Sequence, residues 1–295
     1  MSAKATAADK ARWETDGWCV LEGFLPDDLV RGAQEEVATL FPSAEDFAAD
    51  RDPEANEPFR VDSHLVQPKF PFEAKVFNDL TLHDSLMDLA EYFLGVSDLR
   101  LYQGMLSAKY GEGAESDEQL MHVDYGNHTL VVPRPDVGFQ HLELFIYLND
   151  VAESAATRIV SRQLTGEIPT ERTYLNYNDY AHLYQAEVPA VGGSGSVLAY
   201  RPDVYHRGIQ ITEPGTARFM LHVSFKPAHT DWLGFHAWPG AAESMAWHRF
   251  MQSATVRQLN MLGFPPPGHP YWNEDTLRGV AARYPALDLE PWRNA

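Results

Sequence analysis

The sequence predicts a mainly β fold with flanking helices, its core a closed or double-sheet jelly roll, on three observations. Between about residues 98 and 228, short runs rich in Val, Ile, Tyr, Phe and Leu follow one another, broken by Gly, Pro, Asn and Asp. Before about residue 95 the apolar residues recur instead at helical spacing. The last of the apolar runs alternates cleanly between polar and apolar positions.

In chain order, LPDDLVRGAQEEVATLF places Leu25, Leu29, Val30, Ala33, Val37 and Leu40 on one helix face, with Asp27 or a neighbour as its cap. TLHDSLMDLAEYFLG repeats the signal and stops at Gly95, a residue suited to a left-handed C-terminal position. The runs LRLYQGMLSAKY, HTLVVP, HLELFIYLND, ATRIV, SGSVLAY, HRGIQIT and ARFMLHVSFK then read as strands, with little helical pattern between them. Such a density of strands suits a jelly roll with a mouth able to hold a ligand. In RFMLHVSFK one face carries Arg218, Met220, His222, Ser224 and Lys226 and the other Phe219, Leu221, Val223 and Phe225. The polar face is either solvent-facing or the lining of a barrel. The remaining tail has a helical stretch near ESMAWHRFMQSATVRQLNML and the stiff run GFPPPGHPYW, and is expected to cap the barrel. One domain over residues 1–295 is expected: a helical buttress to about 97, a β core to about 228 and the cap beyond.

Composition narrows the function. With 23 Lys plus Arg against 42 Asp plus Glu the formal charge is -19, which repels phosphate backbones and anionic lipid surfaces, so neither nucleic acid nor membrane is an expected partner. Cys19 is alone, excluding an intrachain disulfide or a thiolate cluster, and no run approaches the ~20 apolar residues of a membrane span. The first residues lack a signal-peptide core, and a reducing cytoplasm is the expected compartment.

The chemistry is carried by His122-Val123-Asp124, whose spacing puts two ligands on the same side of an extended segment. His206, after the strand SVLAY and the turn-like RPDVY, can join them across an antiparallel sheet. Two imidazoles and a carboxylate on one face of an octahedron leave positions open, as in non-haem iron(II) oxygenases. An H-x-D alone carries little weight, and His229-Thr230-Asp231 has the same form. That second match lies past the last strand and is read as a surface or capping motif, with Asp231 capping a helix that begins near Trp232. What favours the first match is the turn Glu213-Pro214-Gly215-Thr216 after His206, a hairpin that returns Arg218 to the site. The guanidinium fork suits the distal carboxylate of a dicarboxylate co-substrate. Two rivals stand beside this reading: a cupin-like metal enzyme that does not use 2-oxoglutarate, and a non-catalytic small-molecule-binding barrel.

The stretches AKYGEG, MHVDY, GSVLAYRPDVYHRG and TARFMLHVSF together resemble the phytanoyl-CoA dioxygenase family of 2-oxoglutarate oxygenases over most of the chain. The resemblance implies a double-stranded β-helix fold, Fe(II) and 2-oxoglutarate as cofactors, His122, Asp124 and His206 as metal ligands, and Arg218 on the co-substrate. It further implies co-substrate contacts from Lys109 and Phe145, and oxidation of a small molecule by dioxygen with release of succinate and CO2. With Asp124 intact, hydroxylation of a C–H bond is the simplest outcome. The chain departs from the family at Ser161-Arg162-Gln163-Leu164, where relatives commonly have a Pro-Gly-Ser-His turn bordering the substrate, so a coenzyme A thioester is not assumed. Tyr125, Asn127 and His128, and Trp238, Trp247 and Tyr271 in the tail, are read as packing or surface rather than recognition.

Overall fold

A computed structural model describes residues 5–128, 141–169, 172–230, 234, 238, 242 and 244–294. The chain begins with α1 (Ala7–Asp16), β1 (Trp18–Leu21), α2 (Asp27–Leu40), α3 (Ala44–Ala48), α4 (Pro53–Val61), α5 (Lys75–Thr81) and α6 (Asp84–Leu94). The β region comprises β2 (Leu99–Tyr110), β3 (Met121–His122), α7 (Tyr125–His128), β4 (Leu142–Tyr147), β5 (Arg158–Ile159), β6 (Tyr174–Leu175), α8 (Tyr177–Ala186), β7 (Val188–Pro189), β8 (Val197–Tyr200), β9 (His206–Arg207) and β10 (Ala217–Pro227). The tail carries α9 (Met245–Met251), α10 (Val256–Met261), α11 (Glu274–Arg283) and α12 (Glu290–Arg293).

The strands form two five-stranded antiparallel sheets, in the orders β1-β8-β4-β10-β2 and β6-β3-β9-β5-β7, the expected jelly roll. Helices nevertheless hold more of the described residues than strands do, so "mainly β" understates the helical layer. The expected strand HTLVVP falls, after His128, outside the described residues. Two elements depart from expectation: β1 lies inside the helical N-terminal part and completes the edge of the first sheet, and α8 interrupts the β region.

The first sheet is covered on both faces, which explains the unbroken burial of LELFIY in β4. Leu142, Leu144 and Ile146 turn outward into one large cluster with Phe77, Leu80, Leu86 and Met87 of α5 and α6. Phe145 and Tyr147 turn inward with Leu198, Tyr200 and Met220. The amphipathic face of α2 holds, with Val30, Ala33 and Val37 buried, but Leu40 at its end is exposed and the N-cap is Pro26 without a side-chain hydrogen bond; Asp27 is the first helical residue, not the cap. Gly95 does end α6 in the left-handed conformation.

Residues 244–294 do not close the barrel mouth. Trp247, Phe250, Met251 and Leu259 join the same cluster as the N-terminal helices, Phe250 meets Phe70 at 5.0 Å, and Arg257 reaches Asp84, Asp88 and Glu91 on or beside α6. This tail thickens the buttress instead. No helix of the described chain is long and apolar enough to cross a membrane.

Candidate metal centre

The second sheet pairs His122 of β3 directly with His206 of β9. Their rings lie 4.6 Å apart, and each ring turns the same way for the same reason. His122 Nδ1 donates to the Leu120 carbonyl at 2.8 Å and His206 Nδ1 donates to the Val204 carbonyl at 3.0 Å. With Nδ1 protonated, each Nε2 presents its lone pair to the space between them, the tautomer a metal ligand needs. Asp124 sits in the turn after β3, its Oδ1 3.6 Å from His122 Nε2 and its Oδ2 3.5 Å from His206 Nε2. The three donor atoms fall within 4.8 Å of one another and are largely buried. Burial works against the Asp124 charge, but His206, His128 and His122 together hold its carboxyl below the usual range. Burial and then the neighbouring His206 push the His122 imidazole below its usual value, against the pull of Asp124. Two neutral imidazoles and one carboxylate so disposed fit a borderline divalent ion such as iron(II).

The inward positions of β10 extend this site in layers about 7 Å apart. Arg218 stands opposite Lys109, Met220 opposite Ser107, His222 opposite Met105, and Ser224 opposite Gln103. From Arg218 to His222 the polar face of β10 is therefore a cavity lining rather than a solvent face. The cavity is about 280 Å³ and is lined at once by the triad, Arg218, Lys109 and Phe145. Arg218 does not reach it by a hairpin: β9 and β10 belong to different sheets, and the 208–216 connection crosses between them. Thr216 N–H still donates to the Glu213 carbonyl at 3.3 Å, with Gly215 at φ 74°, so the expected tight turn is present. This arch is anchored on the end of β2, where Gly111 N–H donates to Thr216 and a methyl on Gly111 would overlap the Glu213 carbonyl.

Arg218 is 3% exposed and carries an opening for an anion. Its Nη1 donates to the Ala155 carbonyl and, at 3.4 Å, to Thr157 Oγ1, while its buried Nε has no hydrogen-bond partner among the described residues. Leaving such a donor unsatisfied costs about 1–3 kcal/mol, which a carboxylate would recover. Lys109 donates to the Asp117 carbonyl at 3.0 Å; burial, and then the adjacent Arg218, bring its ammonium down to about 8. Phe145 packs 4.2 Å from His222, whose Nε2 lies 2.8 Å from Ser107 Oγ. Burial and Arg218 push His222 down to about 3, so a neutral ring forms the wall between the Arg218 end and the triad.

Several residues of this site are not singled out by the sequence. Tyr200 donates to Asp124 Oδ2 at 2.7 Å, and Glu143, opposite Tyr200 across β4 and β8, faces the same cavity. His128, read as packing, lines the cavity and lies 3.2 Å from Glu143 Oε1. Burial alone would lower His128, but the Glu143 carboxylate holds it up at about 9. Trp247 is core as expected, and Tyr271 is exposed. The divergent Ser161–Leu164 loop is pinned away from the cavity, Ser161 and Gln163 donating to Asp16 at 2.7 Å each and Arg162 pairing with Asp203 at 2.9 Å. His229 is exposed, and the cap proposed for Asp231 lies outside the described residues.

No curated protein matches the sequence. Among solved structures the chain is similar to iron-bound EctD from S. alaskensis, at 20% identity and TM-score 0.58, over 79% of this chain and 82% of that one. It is similar to HygX from Streptomyces hygroscopicus with nickel and 2-oxoglutarate bound, at 17% identity and TM-score 0.54, over 79% of this chain and 96% of that one. The non-heme alpha ketoglutarate dependent carbocyclase SnoK from nogalamycin biosynthesis matches at 17% identity and TM-score 0.51, over 77% and 87%. At such identities these structures establish a shared fold. The phytanoyl-CoA dioxygenase (PhyH) family model matches residues 13–219, a span that contains both sheets but for most of β10, the whole triad and Arg218; the chain belongs to the phytanoyl-CoA dioxygenase family.

Proposed function

We propose that the protein is an Fe(II)- and 2-oxoglutarate-dependent oxygenase, with His122, Asp124 and His206 as metal ligands and Arg218, Lys109 and Phe145 around the co-substrate. The observation that carries this reading is the convergence, in one cavity, of two Nε2 atoms and a carboxylate with a buried guanidinium whose Nε lacks a partner. When bound, iron and 2-oxoglutarate supply the activation of dioxygen, with release of succinate and CO2 and oxidation of a substrate C–H bond. The chain's own residues position and exclude. The two backbone-anchored imidazoles fix the ligand direction, Arg218 orients a distal carboxylate, and Phe145 with His222 keeps water from the space between.

Hydroxylation is the reading favoured by the intact carboxylate ligand, although SnoK and the epimerase SnoN share the fold with other outcomes. Gln103, Ser107, Gln119 and Glu143 in the lining favour a small polar substrate over an acyl chain. The ferrous requirement and the lone, buried Cys19 support a reducing, cytoplasmic setting. One hydrophobic cluster from Trp13 to Trp292 supports a single domain. The cupin-like and purely binding readings leave the Arg218 Nε without a purpose.

Anaerobic addition of Fe(II) and 2-oxoglutarate tests the proposal: a weak visible charge-transfer band of the chelated keto acid is expected, and its absence would overturn it. A pH series refines it. Lys109 is protonated below about 8 in the free protein, and a bound dianion raises that value, so affinity for 2-oxoglutarate should be flat below pH 8 and fall above it. Binding roughly tenfold weaker at pH 9 than at pH 7 is expected by calorimetry on the metal-loaded protein. Lys109→Met should flatten the profile; an unchanged slope would remove Lys109 from the site.

A further inference from the structure

Two carboxylates, Asp124 and Glu143, face one cavity, and each has imidazoles beside it. The donor atoms of His128, His141 and Glu143 also lie within 4.8 Å of one another, so the donor set alone does not decide which group takes an ion. Hydrogen bonding decides it. Tyr102 and Ser224 donate their hydroxyls to the two oxygens of Glu143, and His128 Nδ1 and His141 Nε2 lie 3.2 Å and 3.1 Å from Oε1. Each oxygen of Glu143 thus already accepts a hydroxyl, and His128 adds a further contact on Oε1. The Tyr102 contact is built into the sheet: the register of β10 on β2 steps from Ser224↔Gln103 to Phe225↔Leu101, a bulge that leaves Tyr102 as the extra residue, and its phenol reaches Glu143.

Asp124 is treated differently. Among the described residues its carboxylate receives one side-chain hydroxyl, from Tyr200, at 2.7 Å on Oδ2. Tyr200 stands opposite Glu143 across β4 and β8, yet its single proton goes to Asp124. The ring has no freedom to turn elsewhere: it is 1% exposed, packed 5.0 Å from Phe145 and 4.9 Å from His206.

We propose that Tyr200 is the positioning residue of the metal centre, its phenol holding Oδ2 of Asp124 so that the carboxylate would meet the ion through one oxygen, while Glu143, each of whose oxygens accepts a hydroxyl, stays out of the coordination. The inference rests on the reading of His122, Asp124 and His206 as ligands. Its chemical sense lies in the facial arrangement, which is useful because positions stay open. A carboxylate free to rotate can chelate through both oxygens and close one of them. A phenol on one oxygen prevents this, as outer-shell partners of metal ligands commonly do.

Tyr200→Phe isolates the effect, since it keeps the packed ring and removes the proton donor. Metal-free protein is titrated anaerobically with Co(II), whose visible spectrum reports coordination. Wild type should bind one equivalent; Tyr200→Phe should bind about 10–100-fold more weakly, with a shifted and altered Co(II) band. Thermal melting of the metal-free proteins should differ little, separating the effect from misfolding. Equal affinity and an identical band in Tyr200→Phe overturn the proposal. So do two equivalents of Co(II) on wild type, a measurement that needs no variant. A wild type that binds no Co(II) fails the ligand assignment itself.

Discussion

Asp124→Ala is expected to abolish substrate-dependent succinate formation, with turnover at least about 10³-fold below wild type, because the site loses its single anionic ligand. The two histidines remain, held by their backbone carbonyls, but two neutral imidazoles retain a divalent ion poorly when charge and a third donor are gone. The variant should fold. Its loss leaves the Tyr200 phenol without its acceptor, a penalty of about 1–3 kcal/mol, small against the burial of the surrounding sheets. Melting curves and anaerobic Fe(II) titration on the same preparation separate loss of metal from loss of structure. His229→Ala, in the look-alike motif beyond β10, should leave turnover near wild type. Full turnover in Asp124→Ala, or equal losses in both variants, would refute the triad.

The sequence exposes this fold where its elements are long enough to show a period. β2 and β10, at 12 and 11 residues, and the helices α2 and α6 are readable from apolar spacing. β3, β5, β6, β7 and β9 have two residues each, too few to carry an alternation, and they are recognisable only through what they pair with. β1, WCVL, lacks polar alternation, so nothing local distinguishes it from a helix start. In the site, His122, Asp124, His206 and Arg218 are legible because the chemistry constrains their types and their order. Glu143 and Tyr200 are not, because each is a lone polar group in an otherwise apolar strand, LELFIY and VLAY, and only the register shows them facing each other. His128 looks like packing until Glu143, fifteen residues on and in β4, is placed beside it. The Pro-Gly turn bends the chain as its residues imply, but carries it from one sheet to the other instead of closing a hairpin.

Arg218→Ala is expected to weaken 2-oxoglutarate binding by about 10²–10⁴-fold while leaving metal affinity within a few-fold of wild type. The magnitude follows from the fork. Two charge-assisted hydrogen bonds at about 1.5–3 kcal/mol each are lost, and the distal carboxylate is left in a buried space with only Lys109 to meet its charge. Among the described residues Arg218 hydrogen-bonds Ala155 and Thr157 and neither the triad nor its backbone anchors, so metal binding should survive its loss. The charge-transfer band should accordingly vanish at moderate 2-oxoglutarate and return at high concentration. Arg218→Lys, which restores charge without the planar pair of donors, should recover only part of the loss. These variants divide the candidate functions more sharply than the ligand variants do. A cupin-like enzyme that ignores 2-oxoglutarate would keep its activity in Arg218→Ala, and a binding barrel would show no succinate in any variant. Loss of co-substrate affinity with intact metal binding is the pattern that a 2-oxoglutarate oxygenase alone produces, because in it the guanidinium and the triad hold opposite ends of one molecule.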